Sequence, residues 1–75
     1  MPLINKLKDY RMQYNINQQD FGRAVNVSRQ TISLIERGDY SPSVTLALKI
    51  AKYFNVRVED IFIYEGEVEE EQDEE

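Results

Sequence analysis

The chain has 75 residues, with 14 acidic and 9 basic side chains, a formal net charge of −5, and neither cysteine nor histidine. A chain this short buries roughly 60% of its unfolded surface around one small core, which leaves little room for a deep catalytic cleft. Disulfides, thiolate nucleophiles, the common zinc sites and imidazole general bases are excluded, so no enzyme, cofactor or metal centre is expected.

The opening run Met1-Pro2-Leu3-Ile4-Asn5-Lys6 meets a charge too early for a signal peptide, and no apolar run approaches the length of a membrane span. A cytoplasmic chain with no membrane partner is therefore expected. Pro2 suits the first turn of a helix, and Leu3, Leu7, Tyr10 and Tyr14 follow on one helical stripe. Asn15-Ile16-Asn17 ends that helix. Asn17 is placed to cap a second helix, with Asp20 in its first turn and Phe21, Ala24 and Val25 on its buried side. Asn26 tolerates the left-handed conformation of a tight turn, and Ser28 then caps a third helix that runs to about Arg37 before Gly38 stops it. After the loop Asp39-Tyr40-Ser41-Pro42, Ser43 caps a fourth helix whose Val44, Ala47, Leu48, Ala51 and Phe54 form an apolar stripe. A short fifth helix is expected from about Glu59 to Ile63. The β-branched and aromatic residues from Ile61 to Tyr64 leave a strand as the alternative there.

Two short helices joined by a turn of about three residues inside an all-helical domain have the layout of a helix-turn-helix DNA reader. On the wheel of the third helix, Ser28, Ile32, Ile35 and Glu36 fall on one side, and Gln30, Ser33, Leu34 and Arg37 on the other. Arg29, at the boundary in the first turn, can swing outward. Arg can bind guanine O6 and N7 through two bonds and Gln can do the same to adenine N6 and N7, so Arg29-Gln30 is a plausible base-reading pair. Taken alone, a polar outer face reads first as a solvated one. Ser33 and Leu34 extend the outward face, and Leu34 is either a contact for a thymine methyl or a scattered exposed apolar residue. Asn17 and Gln18 open the second helix, where free N–H groups favour a phosphate. Arg37 and Tyr40, at the end of helix 3 and in the loop beyond it, are further expected phosphate contacts. Glu36 lies on the inward side, where an unpaired carboxylate is costly, and Arg11 is its natural counter-ion.

The run from Asn17 to Gly38, Asn-Gln-Gln-Asp-Phe-Gly-Arg-Ala-Val-Asn-Val-Ser-Arg-Gln-Thr-Ile-Ser-Leu-Ile-Glu-Arg-Gly, resembles the Cro/repressor (Xre) class of helix-turn-helix regulators. Ser41-Pro42-Ser43, Ile50-Ala51-Lys52 and Val58-Glu59-Asp60-Ile61-Phe62 fit the same pattern in order, so the resemblance covers about Leu3 to Phe62. It implies a compact five-helix, lambda-repressor-like DNA-binding domain that usually binds operator DNA as a dimer and often represses transcription. By position it also implies that Gln18 contacts phosphate, that Ser28, Arg29 and Gln30 face the operator, and that Arg11 and Glu36 form an internal ion pair. Two departures stand out. Gly22 occupies a position where Ala is commonest, either being small enough for helices 2 and 3 to approach, and Asn26 replaces the usual turn Gly.

A domain of this size normally recruits two recognition helices about one DNA turn, or ~34 Å, apart, so double-stranded operator DNA and a homodimer are the expected partners. The expected dimer surface is the C-terminal end, where Leu46, Ile50, Tyr53, Val56, Val58, Phe62, Ile63 and Tyr64 offer more apolar area than one core absorbs. Phe62, Ile63 and Tyr64 are its centre; the alternative is that most of this set is core and only Ile63 and Tyr64 remain. An antitoxin or adaptor on the same fold, whose main partner is another protein, is the other functional reading.

The charge is divided unevenly between two segments. Residues 65–75 hold eight of the 14 acids and no base, leaving residues 1–64 with nine bases and six acids, a net charge of +3. The expected organisation is a helix-turn-helix domain over residues 1–64 and a disordered acidic tail over 65–75. The tail reads either as a solubilising extension or as a competitor with DNA phosphates for Arg23, Arg29 and Arg37.

Overall fold

A computed structural model describes residues 3–66. The acidic residues 67–75 lie outside the described part, and so does the expectation made for them. Five helices are present: α1 (Leu7–Gln13), α2 (Gln18–Ala24), α3 (Arg29–Arg37), α4 (Val44–Phe54) and α5 (Val58–Ile61). They are joined by a two-stranded antiparallel ribbon, β1 (Leu3–Asn5) with β2 (Phe62–Tyr64), in which Leu3 pairs with Tyr64, Ile4 with Ile63 and Asn5 with Phe62.

The helix starts follow the capping chemistry of the sequence. Asn17 accepts the Asp20 N–H at 2.7 Å, Ser28 the Thr31 N–H at 3.1 Å and Ser43 the Leu46 N–H at 3.1 Å, each satisfying one of the orphan donors of a first turn. The stops are equally uniform. Four helices end on a residue in the left-handed conformation: Asn15 (φ 56°), Asn26 (φ 68°), Gly38 (φ 83°) and Asn55 (φ 59°). In each case the N–H one residue further on reaches back five residues to a helix carbonyl: Ile16 to Arg11, Val27 to Gly22, Asp39 to Leu34 and Val56 to Ala51, at 2.8 to 3.2 Å. This arrangement satisfies otherwise unpaired carbonyls and is normally sealed by an apolar residue after the left-handed position. Ile16, Val27 and Val56 supply that seal and pack against the core.

The core consists of Leu7, Phe21, Val25, Ile32, Ile35, Leu46, Ile50, Ala51, Phe54, Ile61 and Phe62. Phe54 is its aromatic centre. The rings of Tyr10, Tyr14, Phe21 and Tyr53 surround it with centroids 4.9 to 5.5 Å away, in the offset and edge-on geometries that the ring quadrupole favours. Tyr14 is half exposed, yet its hydroxyl donates to the Phe54 carbonyl at 3.1 Å and closes the end of α4.

The structure corrects several expectations at the level of single elements. The first helix begins at Leu7, and Leu3 reaches the core from a strand. The fifth helix ends at Ile61, so Phe62–Tyr64 takes the strand alternative. Both changes have one cause: the two chain ends are each too short to order alone and pair with each other, while the Lys6 N–H donates to the Ile61 carbonyl at 2.8 Å and locks the junction. On α4 the buried stripe is Leu46, Ile50, Ala51 and Phe54, and Val44 (76% exposed) and Leu48 (56% exposed) face outward. The two apolar stripes share Ala51 and Phe54 and differ in Leu46 and Ile50 against Val44 and Leu48. The pair with more area to remove from water turns inward. Ala24 is exposed on α2, where Phe21, Gly22 and Val25 are buried.

Gly22 is a requirement of the turn and not a neutral replacement for Ala. A Cβ there would stand 2.7 Å from the Val27 carbonyl oxygen and 3.2 Å from that of Ser28, both backbone atoms fixed by the α2–α3 turn. Gly22→Ala gains up to ~1 kcal/mol of helix propensity but forces that turn open. We expect it to lower the melting temperature in a thermal unfolding experiment, whereas Ala24→Gly, at an exposed helical site, lowers it only by the propensity term.

Candidate nucleic-acid interface

Three polar contacts on one carboxylate hold α3 in place. Arg11 Nε donates to Glu36 Oε2 at 2.7 Å, Arg11 Nη2 to Glu36 Oε1 at 3.2 Å, and Gln18 Nε2 to Glu36 Oε1 at 3.0 Å. The remaining guanidinium nitrogen, Arg11 Nη1, donates to the Ile16 carbonyl at 3.0 Å. The side chains of Arg11 and Glu36 are only 12% and 5% exposed, so this is a largely desolvated, two-pronged pair of the kind the planar guanidinium favours. In the same last turn of α3, Asn5 Nδ2 donates to the Ile35 carbonyl at 3.0 Å. The helix is therefore tied to α1, to the start of α2 and to β1, in addition to its apolar packing through Ile32 and Ile35.

The outward face of α3 carries the residues expected there. Arg29, Gln30, Ser33, Leu34 and Arg37 line one shallow surface depression. Arg29 and Gln30 are exposed in the first turn, while Ser33 and Leu34 are partly covered. Ser28 is exposed but spends its hydroxyl on Thr31, both on the backbone N–H and at 3.0 Å from Oγ1. Tyr40 is 48% exposed in the loop after α3.

The charges on this face differ in how they are engaged. Arg37 lies 3.3 Å from Asp39 and Arg23 3.6 Å from Asp20, all four side chains being more than half exposed. Such surface pairs contribute ~0–1 kcal/mol and exchange readily. Arg29 has no carboxylate partner among the described residues. A side chain with five donors and none committed to an acid is available for one outside the domain.

Asn17 and Gln18 stand differently from the sequence expectation. Asn17 is committed to its own helix as the cap, and Gln18 is half-buried with its amide on Glu36. The Gln18 side chain is thus a strut between α2 and α3, retaining one amide hydrogen for another acceptor. Sequence reasoning gave no role to Gln19 and only a turn role to Asn26. Both flank Arg29 in the cleft that also contains Arg23, Val27 and Ser28, and Gln19 adjoins Arg29 again beside Arg11, Asn17 and Gln18. The available signal was helical spacing, since residue 19 and residue 23 share one face of α2.

The surface expected at the C-terminal end is smaller than its apolar count. Leu46, Ile50 and Phe62 are core residues of the protomer, and Val56 and Val58 are half-buried against that core. Phe62, 9% exposed, is removed from the dimer surface because β2 turns it inward to the same side as Asn5. Ile63 and Tyr64 remain partly exposed, with Tyr64 at 57%. Among the described residues no cluster of acidic groups is placed to hold a metal ion, and no helix is long and apolar enough to cross a membrane.

The helix-turn-helix family profile matches residues 7–61. The chain belongs to the helix-turn-helix family, of Cro/repressor (Xre) type. Membership makes it a DNA-binding transcriptional regulator and not an enzyme. An uncharacterized HTH-type transcriptional regulator of Methanocaldococcus jannaschii is 57% identical to this helix-turn-helix protein over 63 residues, spanning 84% of this chain and 96% of the relative. YgzD of Bacillus subtilis, another uncharacterized HTH-type transcriptional regulator, is 48% identical over 63 residues with the same coverage, 84% and 96%. Among solved structures, the P22 c2 repressor in complex with synthetic operator 9T superposes with a TM-score of 0.69 at 26% identity, covering 72% of this chain and 82% of that one.

The network around Glu36 makes a quantitative prediction. Arg11→Gln leaves a buried carboxylate without its charge partner, a change that costs about 3 kcal/mol or more. In a double-mutant cycle of Arg11→Gln and Glu36→Gln, urea unfolding should give a double variant more stable than the sum of the two losses by over ~1 kcal/mol. Additive losses would show that the two groups act independently.

Proposed function

We propose that the protein is a sequence-specific repressor that binds a palindromic operator as a homodimer, with α3 lying in the major groove. The observation that carries this reading is Arg29, exposed, uncommitted to any acid among the described residues, and next to Gln30 at the start of a helix whose other side is held by an ion pair and the core. A nine-residue helix is about 13 Å long, which suits a groove ~12 Å wide. Arg29 and Gln30 read base edges, with Ser28, Ser33 and Leu34 beside them, Leu34 offering its apolar surface to a thymine methyl. Arg37 and Tyr40 hold phosphates on one flank, Arg37 by exchanging its exposed pair with Asp39 for a phosphate oxygen. Asn17 and Gln18 hold one on the other flank through first-turn N–H groups and the second Gln18 amide hydrogen. Such a regulator works where the chromosome is, in the cytoplasm.

The dimer reading is supported by the small net charge of the domain, which gives one copy limited phosphate attraction, and by the apolar surface left at the C-terminal end. Val58, Ile63 and Tyr64 are only partly covered there, and Ile4 pairs with Ile63 on the outward face of the ribbon. A second copy seated on this end removes that surface from water.

Two measurements test the reading. Selection of bound sites from a random duplex pool should return a palindromic consensus, and Arg29→Ala or Gln30→Ala should each lower affinity for that consensus about 10- to 100-fold; a pool that returns no common sequence overturns the reading. In sedimentation, Ile63→Glu should convert a dimer into a monomer while Leu48→Glu, on the exposed side of α4, leaves it intact. A wild-type chain that stays monomeric with and without its consensus DNA, or a dimer broken only by Leu48→Glu, overturns the proposed interface.

A further inference from the structure

Residues 67–75 read Glu-Val-Glu-Glu-Glu-Gln-Asp-Glu-Glu, seven carboxylates in nine positions with no base. The described domain bears the opposite sign of charge, and its cations are not equally available. Arg11 is buried on Glu36, and Arg23 and Arg37 sit in exposed, exchangeable pairs. Arg29 alone among the arginines of the α2–α3 face has no acid beside it among the described residues, and it is flanked by the amides of Gln19, Asn26 and Gln30 in adjoining clefts. The place from which the acidic segment departs is also fixed. Phe62 pairs with Asn5, and the Asn5 amide touches the Ile35 carbonyl of α3 at 3.0 Å. The acidic segment thus begins five residues beyond a ribbon position that adjoins α3. Nine residues reach at most about 32 Å, whereas α3 is about 13 Å long, so the whole outer face of that helix lies within the tether.

We propose that residues 67–75 dock on the α2–α3 face, their carboxylates occupying Arg29, Arg23 and Arg37, and so act as an internal competitor for the phosphates of DNA. Carboxylates tethered this closely stand at a millimolar effective concentration, enough to compete with weak partners and not with tight ones. The docked acids lower affinity for DNA of any sequence by the same factor. At non-specific sites, where phosphate contacts supply nearly all the binding energy, that factor takes occupancy below a useful level. Salt weakens the docking as it weakens DNA binding, so the competitor also flattens the salt dependence of DNA affinity. The docking stands on the charge and geometry of this chain alone; its consequence for DNA rests on the function proposed above.

The test compares the wild-type full chain with a full-length variant in which Glu67, Glu69, Glu70, Glu71, Asp73, Glu74 and Glu75 are replaced by Gln or Asn. In low-salt ¹H–¹⁵N spectra without DNA, the backbone amides of Gln19, Arg23, Gln30 and Arg37 and the Nε–H of Arg29 should differ between the two chains. The difference should vanish at roughly 0.5 M salt, where the Debye length is only a few ångströms. Identical spectra over α2 and α3, or changes confined to Lys6 and Lys8 or to Lys49 and Lys52, overturn the docking. With random-sequence duplex at low salt, the neutralised variant should bind roughly tenfold tighter and with a steeper salt slope; equal affinity and slope overturn the competition. Spectral differences on α3 from two chains that bind no DNA would leave the docking established and refute the DNA reading instead.

Discussion

The carboxylate of Glu36 is the point on which the arrangement of the first three helices depends. It accepts two bonds from Arg11 and one from Gln18, and Arg11 spends its last nitrogen on the carbonyl of Ile16. One nearly buried acid thereby connects α1, the α1–α2 turn, the first residue of α2 and the last turn of α3. Helices packed only through apolar side chains can slide by fractions of a turn at little cost, since dispersion and burial are non-directional. A two-pronged guanidinium–carboxylate contact has a fixed plane and direction and does not tolerate that slide. Its contribution to net stability is modest against a well-packed apolar alternative. Its contribution to the placement of α3 is specific, and the outward face of that helix is the surface proposed above to meet DNA.

The same reasoning explains the structural role of Gln18. Its position at the first residue of α2 puts it beside both the first-turn N–H groups of that helix and the buried acid. In the proposed complex, a phosphate held by Gln18 is coupled through Glu36 to α3 and so to the residues proposed to read bases. Gly22 serves the same rigidity from the other side of the turn, because only a residue without a Cβ lets the carbonyls of Val27 and Ser28 pass so close to α2.

The electrostatic design is economical in formal charge. Residues 1–64 carry +3 and the last 11 residues −8, so the sign of the whole chain says little about the sign of the surface proposed to meet DNA. Of four arginines near that surface, one is buried, two are loosely paired and one has no acid partner among the described residues. In the proposed function, affinity draws on amides, helix first turns and a second copy. A weakly attractive surface is also the kind that a short acidic segment can mask, whereas a strongly basic one would saturate it.

Local chemistry was legible in the sequence wherever a single residue type settles the backbone. The Asn17, Ser28 and Ser43 caps, the left-handed Asn26 and Gly38, and the inward and outward sides of α3 all follow from short-range hydrogen bonding and helical spacing, which do not depend on the rest of the chain. The Arg11–Glu36 pair was legible too, since a buried acid requires a partner. What the tertiary structure decided were choices between locally equivalent options. Two apolar stripes on α4, both containing Ala51 and Phe54, were equally periodic, and only the larger buried area of Leu46 and Ile50 turned Val44 and Leu48 outward. Leu3 to Asn5 and Phe62 to Tyr64 are three residues each, too short to declare themselves, and became strands because they found each other across the chain. That pairing took Phe62 into the core. The spaces that forbid a Cβ at Gly22 and place Gln19 beside Arg29 exist only once α2 and α3 are packed, because they are distances between segments that local sequence does not encode.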